Sequence, residues 1–336
     1  MLHIPQFHGV AGAYPGPVTG PPSKLSRFSN SFFRAMEVLV RDVTGGRHQL
    51  VPMTLLEILR GSKDYLKRSG VQAARLEAEV LLAHVLGLTR LDLYLQFDRP
   101  LTEPELTDLR SLLRRRAGGM PVAYLTGERE FFGLRFSVRE GVLIPRPESE
   151  LVVELALARQ AAGARTIVGA DLGTGSGCLG IAIAVGAPSA RIDAVDISPT
   201  AVQVARSNAA QLGVSDRVTV LQGSWGQPLA GRGPYNLIVS NPPYVTSLEL
   251  MALEPGVRDF EPKLALDAGR DGLVPYRDLL VELSKLAAPD ATVLLEVDPR
   301  RSGAVAKLAW ESWPSAALKL HRDPSGRERV LEVTLG

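Results

Sequence analysis

Cysteine is almost missing from this chain: Cys178 is the only one in 336 residues. One thiol closes no intramolecular disulfide and builds no cysteine-rich zinc cluster, so a disulfide-stapled secreted scaffold and a zinc finger are both excluded. An excess of one charge is missing too, since 38 Lys and Arg face 36 Asp and Glu and leave a net +2. A histone-like binder that holds a nucleic-acid backbone by bulk charge is excluded on that ground. No apolar run approaches the roughly 18 to 20 residues of a membrane-spanning helix, which points to a soluble protein of cytoplasmic type. What remains is an ordinary globular composition long enough for two domains.

Residues 1–23 are rich in glycine and proline without helical or strand period, and are expected to be disordered. Residues 24–36 carry Lys24, Arg27 and Arg34 with no acid before Glu37, the look of an organellar transit peptide, which would make the protein mitochondrial. The competing reading starts translation at Met53, because Thr54 and Glu57 have the spacing of a capping box. From 53 to about 120, Leu55, Leu56, Leu59, then Val80 to Leu86, then Leu106 to Leu113 recur at helical spacing and predict a helical-bundle domain. Arg114, Arg115 and Arg116 read as a solvated helix end. Residues 129–138, bending at Gly133, predict a hairpin inside a linker over 121–147.

Beyond Pro147 strands alternate with helices, the pattern of a mostly parallel α/β sheet covered on both faces. Helices are predicted at 148–161, 178–187, 199–212, 275–288 and 303–311. Strands are predicted at 166–171, 191–196, 217–221, 235–240 and 291–297, with an antiparallel closing pair at 316–322 and 328–334.

The strand leading to Asp171 runs into Gly173, Thr174, Gly175, Ser176 and Gly177 before a helix starts, a turn that lets a ligand approach the backbone closely. Asp196 ends the next strand, where a carboxylate binds ribose hydroxyls. A nucleoside cofactor is predicted here, and a dinucleotide would suit this loop equally well. Cys178, just past the loop, reads as a small packed residue without chemistry.

The strand 235–240 delivers Asn241, Pro242, Pro243 and Tyr244 to the carboxyl edge of the sheet. Two prolines stiffen the exit, leaving the Pro242 carbonyl and the Asn241 side-chain oxygen as converging acceptors, with Tyr244 able to pack on a planar group. An NH2 group offers two donors in a fork, so this arrangement suits transfer to a planar amino or amide nitrogen.

These blocks together, PVAYLTGEREFFGLRFSV, VLIPRPESELVVE, DLGTGSGCLGIAIA, VDIS, NLIVSNPPYV, EPKLALDAGRDGLVPYR and VLLEV, resemble the release-factor glutamine methyltransferases, the PrmC or HemK family, over residues 53–335. The resemblance implies a Rossmann-like seven-stranded class I methyltransferase domain over 148–336 behind a helical substrate-binding domain. It implies S-adenosylmethionine in the loop Gly173 to Gly177, its ribose on Asp196 and its adenine against Trp225. It implies a substrate glutamine held by Asn241, Pro242, Pro243 and Tyr244, in the Gly-Gly-Gln motif of class 1 peptide chain release factors, methylated on its side-chain nitrogen.

Three departures accompany the match. Ser224 stands where the family often has an acid, Ser149 where it often has a threonine, and Asp298 to Arg301 where a glycine and a glutamine are common; the last two are read as not touching methyl transfer. Arg146, Glu148 and Glu150 read as linker orientation, substrate contact or a helix start, while Glu261, Asp271, Tyr276 and Arg277 match without evident chemistry. A DNA or RNA amino methyltransferase is the alternative, since an exocyclic amine presents the same fork. The charge counts disfavour it: removing +3 for residues 1–52 and +2 for residues 53–145 from the total leaves −3 on the catalytic half. A dehydrogenase leaves NPPY unexplained, and a non-catalytic assembly factor leaves Asp196 and Asn241 unexplained.

Overall fold

The computed structural model describes residues 53–161 and 166–336, preceded by a two-residue strand pair, Val40–Arg41 (β1) with Gln49–Leu50 (β2). The expectations of disorder over 1–23 and of a transit peptide over 24–36 lie outside the described residues. Two units divide between Ser111 and Leu112, inside one helix.

In the first unit Thr54 caps helix Leu55–Arg68 (α1): its hydroxyl accepts from the Glu57 N–H, and the Glu57 carboxylate accepts from the Thr54 N–H at 2.9 Å. Helix Ala74–Leu86 (α2) follows, then Arg90–Leu95 (α3), where Thr89 and Asp92 repeat the capping box, then Glu103–Ala117 (α4). Each box satisfies two amide groups that a helix start leaves without partners. Leu55, Ile58, Leu59 and Leu66 lie on one stripe of α1 and are buried, as are Leu81 and Leu82 of α2. Glu79 is buried within this unit, and Arg75, Arg90 and the Tyr94 hydroxyl all converge on it. Burial raises its pKa, but these donors outweigh burial and hold it below the ordinary value.

The second unit takes up the end of α4 from Leu112 and continues with a short helix, Val122–Thr126 (α5), and the hairpin Glu128–Phe131 (β3) with Leu134–Ser137 (β4). The hairpin does more than link: Phe131 and Phe136 pack edge to face, centroids 6.0 Å apart, within the core beneath the central sheet. Glu150 accepts from the Phe132 N–H at 2.9 Å. The predicted helix at 148–161 begins as a 3₁₀ turn, Pro147–Ser149, and continues as Glu150–Ala161 (α6).

The sheet follows: Val168–Leu172 (β5), helix Cys178–Gly186 (α7), Arg191–Asp196 (β6), helix Pro199–Gln211 (α8), Val218–Gln222 (β7) and Tyr235–Ser240 (β8). After a helical turn at Pro255–Arg258 (α9) come helix Val274–Leu286 (α10), Ala287–Glu296 (β9), helix Ser302–Ser312 (α11), Ala317–Arg322 (β10) and Glu328–Thr334 (β11). The order is β10-β11-β9-β8-β5-β6-β7, parallel from β9 to β7, with β11 antiparallel to both its neighbours. Strand side chains alternate between two cores: Leu237, Val239 and Leu294 face one, while Ile238, Val293 and Leu295 face the other.

Two departures from the sequence reading are instructive. β9 starts at Ala287, directly after α10, where strand was expected from 291. The stretch 246–265, read without elements, holds α9 and two 3₁₀ turns, Glu249–Ala252 and Lys263–Ala265, each too short to show a period.

Asn208 of α8 joins the hairpin to the glycine loop. Its Oδ1 accepts from the Ser137 N–H at 2.8 Å, and its Nδ2 donates to the carbonyls of Ser137 and Ser176 at 3.0 and 2.8 Å. Asn208→Ala leaves the buried Ser176 carbonyl and the part-buried Ser137 amide and carbonyl without this partner and is expected to lower unfolding free energy by about 2 kcal/mol, read by urea denaturation. A loss within experimental error would show that the tie is dispensable.

Candidate functional site

The chain runs outward from β5 through β6 to β7 and then returns to the opposite side of β5 as β8. Open α/β sheets bind ligands at such a reversal, beyond the carboxyl ends of the strands. Leu172 is in register with Ser240, whose hydroxyl donates to the Leu172 carbonyl at 2.6 Å. The next residues, Gly173 and Asn241, therefore leave the sheet side by side.

The amides of Gly173 and Thr174 both donate to the Val195 carbonyl at 2.9 Å, tying the loop to the end of β6. Gly175 has φ +58, and nothing lies within 4 Å of where its Cβ would stand, so its backbone faces open space. Gly177 has φ +85 and an imagined Cβ would sit 2.6 Å from Ile181 Cδ1, so both conformation and packing demand glycine.

Around this loop opens a cleft of about 820 Å³, part of it open to solvent. Gly173 to Ser176, Cys178, Asp196, Ile197, Asn241 and Pro243 line it, with Arg146, Ser149 and Leu264. Asp171 lies buried beneath the loop: its Oδ2 accepts from Thr174 Oγ1 at 2.6 Å and from the Gly180 N–H at 2.9 Å. Its Oδ1 is buried without a partner, as is Ser176 Oγ. Burial pushes the Asp171 carboxyl up to about 6. Asp196 accepts from the amides of Gly175 and Ser198, each at 2.8 Å, and burial raises its pKa as well. Each Asp196 oxygen keeps a further lone pair for a ligand hydroxyl.

Not every expected residue lines the cleft. Trp225, at φ 45, is half-buried, and its ring lies 3.4 Å from where a Gly173 Cβ would be; beside Asp196 the cleft wall is Ile197. Pro242 is buried, and the half-buried Tyr244 places its hydroxyl 3.4 Å from Glu296 Oε1. Burial pushes the Cys178 thiol up to about 12, so it stays protonated, in keeping with a packed residue.

Ser149, read as not touching methyl transfer directly, lines the cleft and is buried against Asn241, whose Nδ2 donates to Ser149 Oγ at 3.1 Å, while Ser149 Oγ in turn meets Glu296. Glu296 itself was missed, although a lone acid in the apolar strand VLLEV is a signal, because a fully buried carboxylate requires partners. The residues left without chemistry acquire structural roles. Tyr276 donates to the Glu296 carbonyl at 2.8 Å; Glu261 pairs with Arg146 and accepts from the Ile144 N–H at 3.1 Å; Arg277 binds Asp271 at 2.6 Å. The Asp298 to Arg301 departure builds an ion-pair cluster in which Glu249 joins Arg300 and Arg301, each at 2.6 Å. Among the described residues no cluster of side chains could hold a metal ion.

A cofactor with an ammonium group and vicinal hydroxyls fits these donor and acceptor positions: the unpartnered Asp171 Oδ1 needs a donor, Gly175 leaves room, and Asp196 offers lone pairs. The raised Asp171 pKa also carries a stability consequence. Folding favours the protonated acid, so its contribution is complete below the ordinary value of 3.8 and is lost as pH rises through about 6. Relative to Asp171→Asn, the ligand-free protein should lose about 2 kcal/mol of unfolding free energy between pH 4 and 7. Denaturant titrations at several pH values check this, and a pH-independent difference would contradict it.

The description "PrmC N-terminal domain" matches residues 57–127, and "Methyltransferase small domain" matches residues 150–254. The release factor glutamine methyltransferase of Geobacter sulfurreducens is 39% identical over 283 residues, covering 84% of this chain and 97% of that protein. That of Moorella thermoacetica is 41% identical over 278 residues, covering 82% and 97%. The crystal structure of a release-factor-specific protein-(glutamine-N5) methyltransferase from Alicyclobacillus acidocaldarius is 29% identical, covers 57% of this chain and 94% of its own, and has a TM-score of 0.37. With this identity sustained over nearly the whole length of the relatives, the chain belongs to the release factor glutamine methyltransferase family, whose fold binds S-adenosylmethionine.

Proposed function

We propose that this chain transfers the methyl group of S-adenosylmethionine to the side-chain amide nitrogen of the glutamine in the Gly-Gly-Gln motif of class 1 peptide chain release factors. The observation that carries the reading is the placement of Asn241 beside the glycine loop with its Nδ2 already engaged by Ser149, leaving Oδ1 as the free acceptor. In this reading residues 53–120 grip the release factor, 121–147 form the hairpin connection and 148–336 perform the transfer. Among the described residues no helix is long and apolar enough to cross a membrane.

S-adenosylmethionine supplies a methyl group activated on a sulfonium. The loop Gly173 to Gly177 over the buried Asp171 would cradle its amino-acid end, Asp196 would hold its ribose hydroxyls, and Ile197 would flank its adenine. Asn241 Oδ1 and the Pro242 carbonyl would accept the two N–H bonds of the glutamine amide, with Pro243 and Tyr244 bounding its plane. An amide nitrogen is a poor nucleophile because its lone pair is delocalised into the carbonyl. Two acceptors on its hydrogens push density back onto nitrogen and accommodate the positive charge that develops there, while the rigid NPPY exit supplies alignment. The titratable side chains lining the cleft are Arg146, Cys178 and Asp196. Arg146 is paired with Glu261, the thiol is protonated and Asp196 is engaged by backbone amides, so the proton departs to water after transfer.

The test is transfer of labelled methyl to an unmodified release factor, to the same factor with its motif glutamine replaced by alanine, and to duplex DNA. Label is expected on the first alone. Asn241→Ala should slow transfer by about 10²-fold with a far smaller change in cofactor affinity by calorimetry. Label on DNA, or on the alanine-bearing factor, would refute the substrate assignment.

A further inference from the structure

Beneath the cleft a buried polar chain runs from Asn241 through Ser149 to Glu296. Asn241 Nδ2 donates to Ser149 Oγ at 3.1 Å, Ser149 Oγ bonds Glu296 Oε2, and the Tyr244 hydroxyl lies 3.4 Å from Glu296 Oε1. Ser149 is 2% exposed and Glu296 is 1% exposed, so water does not compete for these bonds. Tyr276 grips the Glu296 backbone carbonyl at 2.8 Å and holds the end of β9 in place. Burying a carboxyl at this point costs folding free energy that hydrogen bonds only partly offset.

What it serves follows from hydrogen-bond direction. An ionised carboxylate only accepts, so the Ser149 hydrogen must point at Glu296, and only lone pairs remain for Asn241. Nδ2 must then face Ser149, and Oδ1 must face the substrate amide. A protonated Glu296 removes that constraint: the acid donates to Ser149, the hydroxyl donates to Asn241 Oδ1, and the Asn241 amide turns over. Its NH2 would then oppose the NH2 of the substrate, donor against donor.

We propose that Ser149 and Glu296 are positioning residues for methyl transfer, forming a buried relay in which the Glu296 carboxylate dictates which end of the Asn241 amide meets the substrate. The relay rests on the glutamine-methylating reading given above. It also makes transfer pH-dependent, because burial raises the Glu296 carboxyl to about 7. The groups around Glu296 are Ser149 and Glu148 before α6, Tyr244 after β8, Tyr276 on α10, Cys178 on α7, Asp298 after β9 and Arg329 on β11. Burial dominates; Arg329, Ser149 and Tyr244 favour the carboxylate and Glu148 opposes it. Both phenols and the Cys178 thiol are held protonated by burial, so Glu296 is the member of this cluster that titrates near neutrality.

The experiment measures single-turnover methyl transfer to an intact release factor at saturating cofactor, from pH 5.5 to 9, for the wild type and for Ser149→Ala, Ser149→Thr and Glu296→Gln. Saturation removes the titration of Asp171 from the profile. The wild-type rate should rise about tenfold per pH unit below about 7 and level off above it. Ser149→Ala should be slowed by about 10²-fold with cofactor affinity within a few-fold of wild type, and Ser149→Thr, which keeps the hydroxyl, should restore most of the rate. Glu296→Gln should be slow and flat across the pH range. Transfer by Ser149→Ala at the wild-type rate would overturn the relay, as would a Glu296→Gln profile that keeps the inflection. A parallel loss of cofactor binding and rate in Ser149→Ala would also overturn it, by making the role structural. A wild type that binds cofactor yet labels no release factor fails the underlying reading instead, a result distinct from all of these.

Discussion

Everything at the candidate site depends on the pairing of β5 with β8. They are neighbours in space but separated in sequence by two strands and two helices, and their register places Leu172 opposite Ser240. The Ser240 hydroxyl closes the pair on the Leu172 carbonyl, within the sheet and away from solvent. Because both strands run the same way, their next residues emerge at one edge: the glycine loop from one, NPPY from the other. The glycine loop and the NPPY exit thereby become adjacent. A slip of one residue in β8 would turn every side chain to the opposite face and remove Asn241 from the cleft.

Around that pairing the protein concentrates groups that do not favour folding. Asp171 leaves an oxygen unpartnered, and burial raises the pKa values of both the Asp171 and the Glu296 carboxyls. The buried Glu79 of the helical unit is satisfied by contrast, with Arg75, Arg90 and Tyr94 around it. Local conflict with the rules of burial marks a candidate ligand site. Glu261 and Arg146 show the same economy of position: an acid from after β8 holds the segment entering α6, where Ser149 is placed.

Much of this was legible in the sequence. The alternation of strand and helix, the glycine loop, Asp196 and the proline-stiffened NPPY exit are local patterns, and local geometry follows from them. The antiparallel closing pair was legible through its turn at Pro324, Ser325 and Gly326. What was not legible depends on contacts between distant residues. Ser149 and Glu296 are 147 positions apart, and nothing in either neighbourhood announces the other. The packing of Phe131 and Phe136 under the sheet, and the tie from Asn208 to the hairpin, are likewise long-range. The turns between 246 and 265 escaped for a different reason, since a single turn is shorter than any period. Trp225 was placed by resemblance, and its ring lies against Gly173, outside the cleft wall.

The most direct test of the account is a crystal structure of the full chain with S-adenosylhomocysteine and a peptide carrying the Gly-Gly-Gln motif. The account predicts the glutamine nitrogen facing the sulfur, with one hydrogen on Asn241 Oδ1 and the other on the Pro242 carbonyl, and Asn241 Nδ2 still on Ser149. A glutamine turned so that its oxygen meets Asn241, or one seated away from the junction of β5 and β8, would contradict it.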